Sequence, residues 1–207
     1  MTVSRRIILG ASAGSACAVL CPSGAAALEG DMTLGDASAP AQLVEYASLT
    51  CPHCAAFHAE VFPRIKAEYI DARRIGFTLR EFPTPPMPVS FAMFQLARCG
   101  GANAETYFDR VGILFQEQRA VLSSGTGEGV RAALINIGAR WGLSEDQVVA
   151  AMMDQEGVTR VTATVEDGHQ RFDVHGTPAL VLNDRLLEGP TSLTYAGLSA
   201  TLNAALS

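Results

Sequence analysis

The residues best placed to do chemistry are two cysteines three positions apart, in the segment Cys51-Pro52-His53-Cys54. Pro52 suits the first turn of a helix, because its missing N–H would have no intrahelical partner there. Cys51 then precedes the helix, where unpaired backbone N–H groups and the helix dipole stabilise an anion. A thiolate at Cys51 is therefore favoured, and the imidazole of His53 can favour it further. The pattern predicts thiol–disulfide exchange, with Cys51 as nucleophile and Cys54 as the partner that closes the disulfide ring.

The same cysteine spacing also fits half of a zinc site or an inert structural disulfide. Structural zinc takes four ligands, and the sequence has no second pair of cysteines at this spacing. The other candidate ligands show no paired ligand spacing: His58, His169, His175 and Cys99. We therefore expect no metal here, and the sequence indicates no other cofactor. A metal-binding or chaperone module that uses the same cysteines is the alternative from another class of function.

The elements around the dithiol alternate between strand and helix. An apolar run at 41–46 predicts a buried strand before Cys51, a helix is expected from Pro52 toward Ile70, and alternating residues at 74–82 predict a second strand. After the proline-rich stretch 83–88, helices are predicted at 89–99, 104–118, 129–141, 144–153 and 158–172. Strands at 179–182 and 185–187 and a helix at 194–206 follow. This order predicts an α/β fold with an inserted α-helical block.

The N-terminal residues differ in composition from the rest. Arg5-Arg6 precedes an apolar run from 7 to 20, and three alanines end at Ala27, so 1–27 is predicted to be a signal peptide. The run is broken by glycines and serines and falls short of the ~20 residues that a membrane span needs. The arginine pair also resembles a twin-arginine export signal. Residues 28–40, punctuated by Gly, Pro and Asp, predict an irregular lead-in.

Charge and cysteine content exclude two classes of protein. The formal net charge is −6, and removing 1–27 would delete two arginines and no acidic residue. With Lys66 as the only lysine there is no basic patch, so we expect no nucleic-acid partner. Three cysteines after the leader are too few for a small disulfide-stapled protein. Cys99 follows an apolar helix and is predicted to be a buried structural thiol.

The stretch from Leu43 to His58 resembles the active-site region of the DsbA-like family of periplasmic thiol–disulfide oxidoreductases. The similarity extends to Arg80–Pro83 and Gly176–Leu180, and the element order matches from 40 to 207. The resemblance implies a thioredoxin-like fold with an inserted α-helical domain. Its implied boundaries are 28–82 and 174–207 for the thioredoxin-like domain and 83–173 for the insertion.

The resemblance also implies roles outside the dithiol. Thr177-Pro178 would be the family's cis-proline pair, which lies beside the dithiol and pairs with an extended substrate backbone. Glu45, six residues before Cys51, matches the family's partly buried acid, which moves protons to and from the second cysteine. The alternative is a strand-edge glutamate that faces water.

The activity implied by the resemblance is that of a periplasmic oxidase, which donates disulfides to reduced or unfolded exported proteins and is recycled by a membrane quinone-linked oxidase. Residues 28–40 are too short for the oligomerisation arm of related isomerases, so we expect a monomer. A disulfide isomerase or reductase of the same fold is the alternative, because a threonine such as Thr177 before the cis-proline also occurs in such relatives.

Overall fold

The structure is a computed structural model, and it describes residues 27–207. The predicted signal peptide therefore lies outside the described residues, apart from Ala27. Within the described range, no helix is both long enough and apolar enough to cross a membrane.

A five-stranded mixed sheet forms the centre of the fold. Its strands are β1 (Met32–Gly35), β2 (Ala41–Ala47), β3 (Ile75–Glu81), β4 (Ala179–Leu182) and β5 (Arg185–Leu186), in the spatial order β1-β3-β2-β4-β5. β2 and β3 are parallel, and the other neighbours are antiparallel. β2 is the central strand, which explains why all of its residues except Gln42 are buried. Its carboxyl end leads the chain directly to Cys51.

Strand β1 shows that the prediction of an irregular lead-in at 28–40 was wrong. Met32 and Leu34 pair with Leu79 and Phe77 of β3. The strand is four residues long, and Gly30, two residues before it, and Gly35, its last residue, have φ of +80° and +81°. The same glycines that make the local sequence look irregular therefore terminate a short edge strand, whose pairing depends on residues far away in the chain.

Helices cover both faces of the sheet. The chain from Pro52 to Ile70, predicted as one helix, consists of α1 (Pro52–Glu60), α2 (Phe62–Ile65) and a π-helical turn (Lys66–Ile70). The five helices predicted between β3 and β4 are present: α3 (Met87–Arg98), α4 (Ala104–Ser123), α5 (Gly127–Arg140), α6 (Glu145–Met152) and α7 (Gln155–Phe172). A 3₁₀ turn (Pro190–Leu193) and α8 (Tyr195–Ala205) follow the last strand. Ser144 and Gln147 form the capping box that their spacing predicts at the start of α6.

Two apolar layers hold these elements together. The larger layer joins one face of the sheet, including Leu43 and Phe77, to α1, α3, α4 and α8. The smaller layer lies on the opposite face and includes Val44 and Tyr46 of β2 with Phe172 at the end of α7. Successive residues of β2 thus point into different layers, as a strand requires. The sheet fixes β2 rigidly and so fixes the start of the loop that carries the dithiol.

Buried Arg80 ties β3 to two distant segments. Its side chain is 1% exposed and pairs with Asp31 at 2.9 Å and with Asp167 of α7 at 2.6 Å. Its Nη1 also donates to the Tyr46 hydroxyl at 3.0 Å. A buried guanidinium is tolerated because carboxylates and a hydroxyl accept its N–H groups. This network holds α7 against the sheet, and the loop that follows α7 leads to Pro178.

Candidate active site

Cys51 is the residue immediately before the first turn of α1. It has extended backbone angles, φ −84° and ψ 120°, and Pro52 occupies the first helical position. No side chain caps this helix, in contrast to α4, α5, α6 and α7, where a side-chain oxygen accepts an N–H of the first turn. The first-turn N–H groups of α1 are therefore available to the Cys51 sulfur.

The surroundings of Cys51 lower its pKa to about 5. The largest cause is the Cys54 thiol, which donates a hydrogen bond to the Cys51 sulfur, and the backbone N–H groups of Cys54 and His53 add to it. Burial acts in the opposite direction. The Thr177 side chain lies near the sulfur and also lowers the pKa. Cys51 is consequently a thiolate at neutral pH, as the helix-start argument predicts.

Cys54 has the opposite environment. Its side chain is fully buried, and burial raises its pKa well above the usual range of a thiol. Its hydrogen bond to Cys51 and the negative charge of Glu45 raise the pKa further. The Ser48 N–H, 3.5 Å from the Cys54 sulfur, opposes this shift only in part. The two thiols therefore differ in protonation, which separates a nucleophile from a buried, protonated partner.

The loop between α7 and β4 lies against the dithiol. The Thr177–Pro178 peptide bond is cis, and the Thr177 carbonyl oxygen lies 3.2 Å from the Cys51 sulfur. The cis bond and the proximity to Cys51 are both confirmed. The roles of Thr177 and Pro178 in binding a substrate stay predictions.

Glu45 is buried, so the alternative of a water-facing glutamate is wrong. Its side chain is 0% exposed, and its Oε2 lies 2.8 Å from Nε2 of His58. The imidazole packs on the rings of Phe62 and Phe115, with centroid distances of 4.6 and 4.3 Å. Sequence reasoning assigned His58 no function; the available signal was its position one helical turn after Cys54, on the same face of α1.

His53 contacts the Cys51 sulfur through its main chain, and the role predicted for its imidazole stays a prediction. Its residue is exposed, and the group that it presents to the Cys51 sulfur is its backbone N–H. The dipeptide between the cysteines therefore acts first through the helix geometry that it sets.

A buried glutamine from α4 holds the dithiol loop from the side of the inserted helices. Nε2 of Gln118 donates to the carbonyl oxygens of Leu49 and Cys51, both at 3.0 Å. These two carbonyls flank the turn into α1, so the hydrogen bonds fix its backbone. Sequence reasoning missed Gln118, because nothing local marks a glutamine 67 positions from its partner Cys51.

Hydroxyl groups beneath the dithiol form a second set of contacts that the sequence did not reveal. The buried Ser48 hydroxyl lies 3.0 Å from that of Thr50, 2.9 Å from that of Ser90 and 2.8 Å from that of Thr84. The network joins the loop before Cys51 to the start of α3. The cis Pro85–Pro86 bond follows Thr84 directly.

The remaining candidate residues lie in ordinary structural positions. Cys99 ends α3 and is partly exposed rather than buried, because its thiol reaches the Gln147 carbonyl oxygen at 3.6 Å near the surface. Over residues 27–207, no group of three or more His, Cys, Asp or Glu side chains is arranged to hold a metal ion.

Comparison with known proteins agrees with this geometry. A family model described as thioredoxin matches residues 27–204. A Rickettsia conorii protein named as a protein-disulfide oxidoreductase is 31% identical over 156 residues, which cover 75% of this chain and 54% of that protein. The chain thus spans about half the length of the curated relatives it matches.

Solved structures show the same fold. The crystal structure of alpha-DsbA1 from Wolbachia pipientis superposes with a TM-score of 0.73 at 24% identity, covering 87% of this chain and 92% of that one. A protein-disulfide isomerase from Novosphingobium aromaticivorans also gives 0.73, at 17% identity, over 86% and 98% of the two chains. The fold is similar to that of these proteins: an α/β thioredoxin fold in which helices are inserted before the strand that follows the cis-proline.

The chain belongs to the thioredoxin family.

Proposed function

We propose that this protein is an exported thiol–disulfide oxidoreductase that donates disulfides to substrate proteins. The observation that supports it most directly is the opposite shift in pKa of the two cysteines, with Cys51 lowered to about 5 and Cys54 raised. A stabilised Cys51 thiolate is a good leaving group and favours the reduced dithiol over the disulfide. A protein with that preference passes its disulfide on to others.

The reaction begins with the Cys51–Cys54 disulfide. A substrate thiolate attacks the Cys51 sulfur, a mixed disulfide forms, and Cys54 leaves with the bonding electron pair and takes up a proton. The second substrate thiol loses its proton and attacks the substrate sulfur of the mixed disulfide, and Cys51 leaves as a thiolate. Two electrons thus pass from the substrate dithiol to the protein.

Substrate binding is proposed to occur at the cis-proline loop. The Thr177 carbonyl oxygen lies 3.2 Å from the Cys51 sulfur, so an extended substrate segment placed against this loop brings its cysteine to Cys51.

The sheet order supports the proposed division into a thioredoxin-like domain at 28–82 and 174–207 and an inserted helical domain at 83–173. We further propose that residues 1–27 direct export and that the protein is a periplasmic monomer. A membrane quinone-linked oxidase is proposed to recycle it.

Oxidation of a reduced, unfolded substrate with two cysteines tests the direction of the reaction. We expect rapid, stoichiometric oxidation by the disulfide form and no oxidation by Cys51→Ser or Cys54→Ser, because neither variant can form the disulfide. The Cys51 thiolate of Cys54→Ser should instead attack the disulfide of an oxidised substrate, release one substrate thiolate and remain trapped as a mixed disulfide. The parallel assay measures repair of a scrambled substrate, with the mass of the protein determined in solution.

An isomerase or reductase is the second candidate, supported by Thr177 before the cis-proline and by the structural neighbour named as a protein-disulfide isomerase. Efficient repair by a stable oligomer, together with slow oxidation, would establish that direction instead. Loss of both activities on adding zinc, with zinc bound stoichiometrically by the thiols, would favour a metal-binding module.

A further inference from the structure

Glu45 and His58 form a buried pair of titratable side chains directly behind the dithiol. The Glu45 side chain is 0% exposed, that of His58 is 5% exposed, and Oε2 and Nε2 lie 2.8 Å apart. Among the described residues no hydrogen-bond partner reaches the other carboxylate oxygen, Oε1. Leaving a buried oxygen without a hydrogen-bond partner is unfavourable. A pair that served only to stabilise the fold would be expected to satisfy both oxygens.

The pair is placed next to the cysteine that must exchange a proton. The negative charge of Glu45 is close enough to Cys54 to raise the pKa of its thiol. His58 follows Cys54 by four residues on α1, which places the two side chains on one face of the helix. Glu45 thus interacts with both the buried thiol and the imidazole, with one oxygen bound to His58 and the other without a hydrogen-bond partner among the described residues.

We propose that His58 and Glu45 form a two-residue proton relay for Cys54. Glu45 exchanges a proton with the Cys54 thiol, and His58 exchanges that proton with Glu45. The proposal rests on the function proposed above and adds His58 as a positioning residue that acts through Glu45. When the Cys51–Cys54 bond breaks, Cys54 takes the electron pair and then a proton from the Glu45 carboxyl group. Glu45 recovers a proton from the His58 imidazolium, which is recharged from solvent, and the direction reverses when the disulfide re-forms.

The surroundings of His58 favour exchange with Glu45 over any other group. Phe62 from α2 and Phe115 from α4 pack on the imidazole, and Phe57 contacts it from its own helix. None of these rings titrates. The titratable groups next to it are Glu45 from β2, by direct contact, and Cys54 one turn earlier on α1. The aromatic rings exclude water from most of the ring and hold Nε2 toward the carboxylate.

A single-turnover experiment tests the relay. The disulfide forms of the wild type, His58→Asn, Glu45→Gln and the double variant oxidise a reduced two-cysteine peptide at a series of pH values. Because Asn can hydrogen-bond but carries no exchangeable charge in this range, we expect His58→Asn to slow the reaction by about tenfold, below the 10²–10⁴ typical of direct general acid–base catalysis. The shape of the rate–pH curve should change as well, and the double variant should be no slower than Glu45→Gln. The relay would be overturned if the rate losses of the two single variants multiplied in the double variant. A rate–pH curve of His58→Asn parallel to that of the wild type would overturn it as well.

A second measurement needs no variant. The ¹⁵N signals of the His58 imidazole are recorded in the wild type with its dithiol reduced and with it oxidised chemically. We expect a different protonation or tautomeric state of the ring in the two forms, and identical signals in both would refute the relay. In the single-turnover experiment, His169→Gln serves as the control. The His169 ring contacts Phe82 and lies outside the pair, so the rate–pH curve of this variant should match that of the wild type. If the wild type itself oxidises no substrate, the proposed function fails, while the imidazole signals still decide whether His58 follows the redox state of Cys54.

Discussion

Replacing Cys54 with alanine tests which groups stabilise the Cys51 thiolate. The pKa of Cys51 falls from 9.0 to about 5, and the hydrogen bond from the Cys54 thiol is the largest cause. A hydrogen bond to a charged group contributes about 1.5–3 kcal/mol. One pKa unit corresponds to about 1.4 kcal/mol, so losing this bond alone should raise the pKa by about one to two units. Water reaches this site from the exposed side and screens part of the interaction, which favours the lower end of that range.

The expected pKa of Cys51 in Cys54→Ala is therefore about 6 to 7, still below that of an ordinary thiol, because the backbone N–H groups of His53 and Cys54 remain. The assay follows thiolate absorbance in the ultraviolet against pH and, in parallel, the rate of alkylation. Cys54→Ser is the matched control, since its hydroxyl can still donate to the sulfur, and its curve should stay closer to the wild type.

Two results would refute this reasoning. An alanine variant that titrates with the wild type would show that the Cys54 thiol contributes nothing. An alanine variant that titrates as an ordinary thiol would show that the helix N–H groups contribute nothing, and the start of α1 would then have no electrostatic function.

Three further predictions concern stability. The pKa of Cys51 is lowered from 9.0 to about 5, so its thiolate stabilises the folded reduced protein fully above pH 9 and progressively less as the pH falls through 5. Thermal unfolding should therefore show that the stability of the reduced form, relative to the disulfide form, decreases as the pH is lowered from 9 to 5. Gln118→Ala should cost about 1–3 kcal/mol of unfolding free energy, because two buried carbonyls lose their donor, whereas exposed Gln170→Ala should be nearly neutral in the same denaturant titration. A Cβ on Gly157 would lie 1.4 Å from Nε2 of Gln95, so Gly157→Ala should lower the melting temperature. The matched control is Gly112→Ala in α4, where a Cβ meets open space and the substitution should stabilise the protein by about 0.5–1 kcal/mol.

Local sequence was sufficient for the parts of the site that depend on neighbouring residues. The cysteine spacing and Pro52 determine that Cys51 precedes α1, where the thiol of Cys54 and the N–H groups of the first turn lower its pKa. The helix and strand periodicities gave the elements from β2 to α8 within a few residues. Strand β1 was missed because four residues, the last of them a glycine, carry no periodic signal, and only pairing with β3 defines them.

The rest of the site comes from contacts between distant parts of the chain. Gln118 reaches the carbonyl of Cys51 only because α4 crosses the dithiol loop, and His58 gains a function only when β2 places Glu45 against its imidazole. In both cases a buried polar group is brought to the dithiol by the packing of an apolar layer, whose composition says nothing about which polar residues it will enclose. The fold thus stabilises the two protonation states of the cysteines from opposite sides. The helix start and the cis-proline loop surround the thiolate of Cys51, and a carboxylate with its own imidazole lies behind the thiol of Cys54.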